Sequence, residues 1–200
     1  MIENIDWKLV VGILGGILMV IGYIPYLKDI FAGKTKPHLY TWIIWTLTWG
    51  TALVALLYAG GKFGSIVMIV GMILVLWVLG LCFKHGTKNI TKSDTVTLAL
   101  ALLAIVAWWQ LKDPTISVIM VTAIDGLGYI PTFRKTYQEP HSETMFFWFI
   151  MAVVTLLSML ANAEYNFLTM FYLGVVTAAN ITVAMIILLR RKTLKSATVN

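Results

Sequence analysis

The sequence predicts an all-α membrane protein: seven transmembrane helices, arranged as two parallel three-helix bundles joined by an inversion linker helix. Three observations predict it. Of the 200 residues, 60% are hydrophobic and only 12% charged, with a mean hydropathy of +0.86. That leaves too little polar surface to cover a soluble domain. The apolar residues fall into seven blocks, each close to the ~20 residues a helix needs to cross a bilayer. One compound motif, GYIP followed by PHxxT and a tryptophan, occurs twice, about a hundred residues apart, as an internal duplication would leave it.

The first block is Leu9–Leu27, behind Glu3, Asp6 and Lys8. It lacks a basic leader region and a small-residue cleavage pattern, so it is expected to be retained as a helix. It ends in Gly22-Tyr23-Ile24-Pro25. Pro25 removes a backbone hydrogen bond and meets the carbonyl of Ile21, and Gly22 adds freedom, so Gly22, Tyr23 and Pro25 read as a hinge. Pro37 and His38 open the second block, Leu39–Tyr58, with Thr41 one turn in; proline suits a first helical turn. The third block, Phe63–Phe83, holds the one cysteine, Cys82, expected as a buried structural thiol.

Val96–Leu111 is plain and Ala/Leu-rich. It reads as a lipid-facing linker, with Trp108 and Trp109 as interfacial anchors. The fifth block, Ile116–Phe133, ends in the second Gly128-Tyr129-Ile130-Pro131, a second hinge. Pro140 and His141 then start the sixth, Met145–Ala161, and the seventh runs Phe167–Leu189. The expected units are residues 1–87, a linker over 88–113, residues 114–193, and a basic cytosolic tail over 194–200.

Past the motif the register continues, with Trp45 matching Trp148 and Gly71 matching Gly174. Two fused three-helix units would point opposite ways; one extra span restores a parallel orientation. With the N-terminus outside, the inward side carries 12 basic residues against 3 outward. That places the N-terminus out and the C-terminus in the cytoplasm; the expected location is a bacterial inner membrane. Asn89-Ile90-Thr91 and Asn180-Ile181-Thr182 fit a glycosylation acceptor, but one lies in an inward loop and the other within a span.

This 3+1+3 pattern, with a proline motif at the inner end of the first helix of each unit, resembles the PQ-loop and SWEET superfamily. The chain has Pro25-Tyr26 and Pro131-Thr132 where the family has Pro-Gln. The resemblance covers nearly the whole chain and implies a small-solute transporter, of a sugar, an amino acid or a vitamin-like compound. In SWEETs an asparagine in the third helix of each unit contacts substrate. Asn180 resembles it, and Trp77 occupies the matching place in the first unit.

Asp125 lies about ten residues into its span, near the bilayer centre by the ~1.5 Å rise per residue, where Met19 stands in the first copy. An intramembrane carboxyl is costly and marks a functional candidate. It would bind a polar or cationic solute, or a coupling proton, or be structural. Asn180, Trp77 and Asp125 would line an asymmetric pocket, with Trp45, Trp49 and Trp148 as its wall. His38 and His141, with Pro37 and Pro140, are expected at the water interface or as inner-gate and proton-handling groups.

The expected partners are a small solute, membrane lipids and protons, with no nucleic acid and with a homo-oligomer as an open alternative. No cofactor or metal is expected. No HExxH, Gly-x-Ser-x-Gly or paired-aspartate motif is present, so an intramembrane enzyme is disfavoured. The alternative function is a receptor or sorting protein on the same scaffold, binding a ligand without moving it.

Overall fold

The computed structural model describes residues 6–87, 90–110 and 113–197. Lys88, Asn89, Leu111 and Lys112 lie outside them, as do the side chains of Trp108 and Trp109. Among the described residues the chain forms seven α-helices and no strand: α1 (Trp7–Phe31), α2 (Leu39–Tyr58), α3 (Gly64–His85), α4 (Lys92–Gln110), α5 (Pro114–Gln138), α6 (Met145–Ala161) and α7 (Phe167–Ala197). Of these α1, α2, α3 and α7 are long and apolar enough to span a membrane, and α6 is an apolar helix of 17 residues.

The chain is apolar outside as well as inside. Ile13, Ile17, Ile73, Phe149 and Leu189 are each about half exposed, a band that would aggregate in water and suits lipid contact. The polar side chains Thr48, Asp125, Thr155, Thr177 and Asn180 are buried instead. That inversion fits a multi-pass membrane protein, whose polar groups are satisfied by one another.

α1 packs on α3 and α3 on α2; α5 packs on α7 and α7 on α6. Across the middle, α1 meets α6 and α2 meets α5. α4 lies on α5 and α2 alone. α1, α3, α5 and α7 finish at one end of the bundle, where α2, α4 and α6 begin; this is the motif end. Both ends are tied by cross-chain bonds. Thr87 N–H donates to Pro37 O (2.9 Å) at the motif end. At the opposite end the Lys8 ammonium donates to Asn162 O (2.7 Å) and Ala163 O (3.1 Å).

Several expectations shift. α1 and α5 run on through Pro25 and Pro131 and end at Phe31 and Gln138. α7 continues to Ala197, so most of the expected tail is helix. His38 is the N-cap of α2, but Pro140–Ser142 forms a separate 3-10 turn, and Glu143 is extended before α6 starts. Thr144 therefore takes the N-cap place of α6. The glycines of the two GYIP copies serve close approach. A methyl group on Gly22 would sit 2.7 Å from Met151 Cε and 2.8 Å from Ile150 Cγ2; one on Gly128 would sit 2.8 Å from Trp45 Nε1.

Candidate solute site along the bundle axis

Burial registers the helices on one another. In α1 and α5 the buried Met19, Gly22 and Tyr23 correspond to the buried Asp125, Gly128 and Tyr129, as the motif requires. In α3 and α7 the motif register fails. It would pair Trp77 with Asn180, but Trp77 is 51% exposed and Asn180 is 3% exposed. Moving the register by two residues brings burial into phase: Val75 onto Asn180, Val78 onto Val183, Cys82 onto Ile187. Trp77 then falls on Thr182, and both are exposed. Trp77 is thus a surface residue of α3, and Val75 takes the place facing Asn180's counterpart environment.

Asp125, Asn180, Trp45, Trp49 and Trp148 surround one small void of ≈ 30 Å³, closed further by Tyr23, Tyr129 and Val75. By size it takes one or two waters. Asp125 on α5 accepts a hydrogen bond from the Thr48 hydroxyl on α2. Among the described residues no ion pair reaches it. Thr48 Oγ1 also lies 3.0 Å from Ile44 O, and a hydroxyl has one proton to give. With Asp125 ionised, Thr48 donates to it. With Asp125 protonated, the carboxyl donates and Thr48 turns its proton to Ile44. One turn on, the Tyr129 hydroxyl donates to Asn180 Oδ1 (3.1 Å), and Thr155 and Thr177 share a bond of 2.7 Å. The Trp49 indole donates to Met68 O (2.9 Å), which fixes the ring against α3.

An aromatic plug lies between this void and the motif end. Trp45 meets Tyr129 at 4.9 Å, Trp42 at 5.3 Å and Trp148 at 6.0 Å between centroids. Tyr26 stacks on Phe147 at 4.3 Å. Beyond the plug a vestibule of ≈ 220 Å³ opens, lined by both faces of the duplicated motif, including Pro37, His38, Pro131, Arg134, Lys135 and Glu143.

Two groups of paired charges lie at the vestibule. Lys135 bonds Glu143 (2.9 Å), whose other oxygen accepts from the Trp148 indole (3.1 Å). Asp94, at the start of α4, accepts from His38 Nε2 (3.2 Å) and lies 3.5 Å from Arg134. Burial pushes the His38 imidazole below its ordinary pKa, outweighing the pull of Asp94, and Arg134 and Lys135 add to that push. Burial works against the Asp94 charge, yet bonds from Thr91 and the nearness of His38 and Arg134 hold its carboxyl below the usual range. The neutral imidazole therefore donates from Nε2 and leaves Nδ1 as an acceptor. His141 is exposed and takes no place in the vestibule.

At the opposite end α3, α6 and α7 meet closely, while α2, α5 and α7 leave a small void of ≈ 20 Å³ between them. The fully buried Asn162 donates to Thr169 O (3.2 Å), and Ser158 donates to Gly64 O (3.0 Å). A methyl group on Gly64 would collide with Asn162 Oδ1, 2.0 Å away.

Sequence reading missed Thr48, Asp94 and Glu143. Thr48 lies three residues after Trp45, one turn along the same face, and Glu143 lies inside the second PHxxT. Asp94 stands at the head of the helix read as a plain linker. Most of α4 is exposed as expected, with Val96, Leu100 and Leu103 outward, but Asp94 is 2% exposed. No protein-family model matches the chain, and no curated protein or solved structure matches it.

Proposed function

We propose that the chain carries a small polar solute across a membrane by alternating access between two parallel three-helix repeats, with Asp125 as the proton-coupling group. The observation that carries this reading is Asp125 itself: a buried carboxyl without an ion-pair partner among the described residues, bonded to Thr48 across the α2/α5 seam, at a void behind a plugged vestibule. Buried ionisable groups at membrane depth are expensive and are retained at ion and substrate paths.

The repeat reading is supported by the packing. Exchanging α1, α2, α3 for α5, α6, α7 leaves the pattern of helix neighbours unchanged, while α4 stands outside it. In this reading all seven helices cross, the motif end faces the cytoplasm with its basic residues, and the N-terminus is outside, in a bacterial inner membrane. The vestibule is the open side of the carrier, and the GYIP helix ends flex to move the plug. The PQ-loop and SWEET resemblance points the same way.

Asp125→Asn keeps size and hydrogen-bonding reach but removes titration. The test uses liposomes holding the purified protein, an imposed pH gradient, and a solute chosen because it raises the melting temperature. The wild type is expected to accumulate the solute uphill; the variant is expected to bind and exchange it without accumulation. Undiminished accumulation by the variant overturns proton coupling at Asp125. A solute that binds the wild type but never crosses overturns the carrier in favour of a receptor.

A further inference from the structure

The two PHxxT-tryptophan copies differ in what their polar atoms do. In the second copy Thr144 donates to Asp29 (2.6 Å) and contacts Thr35 (3.1 Å), and the Trp148 indole is held by Glu143. Its bonding capacity is used inside the protein. In the first copy His38 Nδ1, Thr41 Oγ1 and Trp45 Nε1 are all buried, and none has a hydrogen-bond partner in the protein. Thr41 is 2% and Trp45 8% exposed. The three residues follow one another at helical spacing along one stripe of α2, and all three line the vestibule.

Buried polar groups without a partner are rare, and each calls for an explanation. Here three of them share one stripe and one cavity, while the counterparts Thr144 and Trp148 are satisfied and the counterpart His141 is exposed. We infer that the His38–Thr41–Trp45 stripe is a solute-binding station in the vestibule, on the motif side of the Asp125 void with which it shares Trp45, and occupied before a solute passes the aromatic plug. Its chemistry selects the solute class. The Trp45 indole only donates, the His38 Nδ1 accepts, and Thr41 does either. Arg134 pairs with Asp94 and Lys135 with Glu143, and Lys36 and Glu139, which also line the vestibule, bring one charge of each sign, so the vestibule charge is balanced. A solute of no net charge fits, offering an acceptor deep against Trp45 and a donor nearer the mouth against His38. Neutral polyols and zwitterionic amino acids both meet that description; simple anions and cations do not.

The inference extends the transport reading and rests on it only for the order of events, since binding is measured without flux. Detergent-solubilised protein is titrated with mannitol, L-serine, propionate and propylamine by calorimetry and by thermal shift. Mannitol or L-serine is expected to bind and raise the melting temperature, and the arm that responds tells polyol from zwitterion. Thr41→Val and Trp45→Phe are each expected to weaken that binding about three- to tenfold, the worth of one neutral hydrogen bond. Thr41→Val is nearly isosteric and guards against a folding defect in the tryptophan variant. Thr144→Val, at the matching place in the second copy, is expected to lower the melting temperature and leave affinity unchanged. Tighter binding of propionate or propylamine overturns the solute class. No binding by any probe, or equal affinity in wild type and the Thr41 and Trp45 variants, overturns the station while leaving the Asp125 flux test untouched. Conversely, flux lost in Asp125→Asn with stripe binding intact separates the two sites.

Discussion

The α1/α6 and α2/α5 seams hold matching places when the two halves of the chain are exchanged, yet they are built from different chemistry. At α1/α6 the facing residues are hydrocarbon: Met19 is fully buried, Gly22 lies under Met151 and Ile150, and Tyr26 stacks on Phe147. At α2/α5 the residues matching Met19 and Met151 are Asp125 and Thr48, joined by a hydrogen bond. The backbone frame is common to both seams, and Gly22 and Gly128 permit close approach in each. The difference teaches that the frame does not need the carboxyl. Methionines stand at both matching places of the α1/α6 seam, Met19 reaching Gly71 and Met151 covering Gly22, so Asp125 answers to something other than packing.

The comparison breaks most visibly if the chemistry is transplanted. Met19→Asp puts a carboxyl into the hydrocarbon seam with no hydroxyl opposite. It is expected to destabilise by about 3 kcal/mol or more, on the order of other unpaired buried polar groups. Adding Met151→Thr supplies the hydroxyl and is expected to recover part of the loss, read as a coupling energy in a double-mutant cycle by denaturant or thermal unfolding. Additive losses would show that the two seams are not interchangeable frames.

Gly22→Val tests the closeness of the apolar seam. Ile150 Cγ2 stands 2.8 Å from the first added carbon and is too stiff to swing aside. The expected cost is about 1–3 kcal/mol of overpacking, measured as a fall in melting temperature. Tyr129→Phe tests the polar half more gently. It removes the hydrogen bond to Asn180 Oδ1 and is expected to cost about 1–2 kcal/mol. An unchanged melting temperature would mean that Asn180 finds another donor.

Much of this architecture was legible in the sequence, because apolar blocks of span length and a doubled motif are strong signals. Gly22 and Gly128, Trp45 and Trp148 fall where the motif register puts them. The register failed at α3 and α7 for a physical reason. In lipid a helix is apolar on its outer face too, so α3, apolar almost throughout, carries no periodicity to say which face is inside. Gly71 and Gly174 then suggested a pairing of Trp77 with Asn180 that burial contradicts. Thr48 and Asp94 were missed because their partners across the bundle, Asp125 and His38, are distant in sequence. Asp125 alone among the midplane groups announces itself, since a carboxyl amid apolar residues needs no partner to be noticed.

The smallest effect concerns the one motif histidine that is buried. His38 faces Asp94 from α4 and Arg134 and Lys135 from α5, while His141 faces outward. Its pKa is lowered in the folded chain, chiefly by burial. The unfolded chain therefore binds the proton more readily. Stability from the neutral imidazole is fully present above the unfolded value of about 6.5 and is lost as pH falls from there through the folded value. Asp94 has a lowered pKa as well, but an aspartate loses its share of stability only as pH falls below about 4. The two contributions therefore separate along the pH axis. In the difference in melting temperature between the wild type and His38→Gln the other titrating groups cancel; between pH 7.5 and 5.5 that difference is expected to shift by a few degrees against the wild type. A His38 variant that melts with the wild-type slope would mean that Asp94 compensates the imidazole completely. The motif asymmetry would then be one of hydrogen bonding without any consequence for charge.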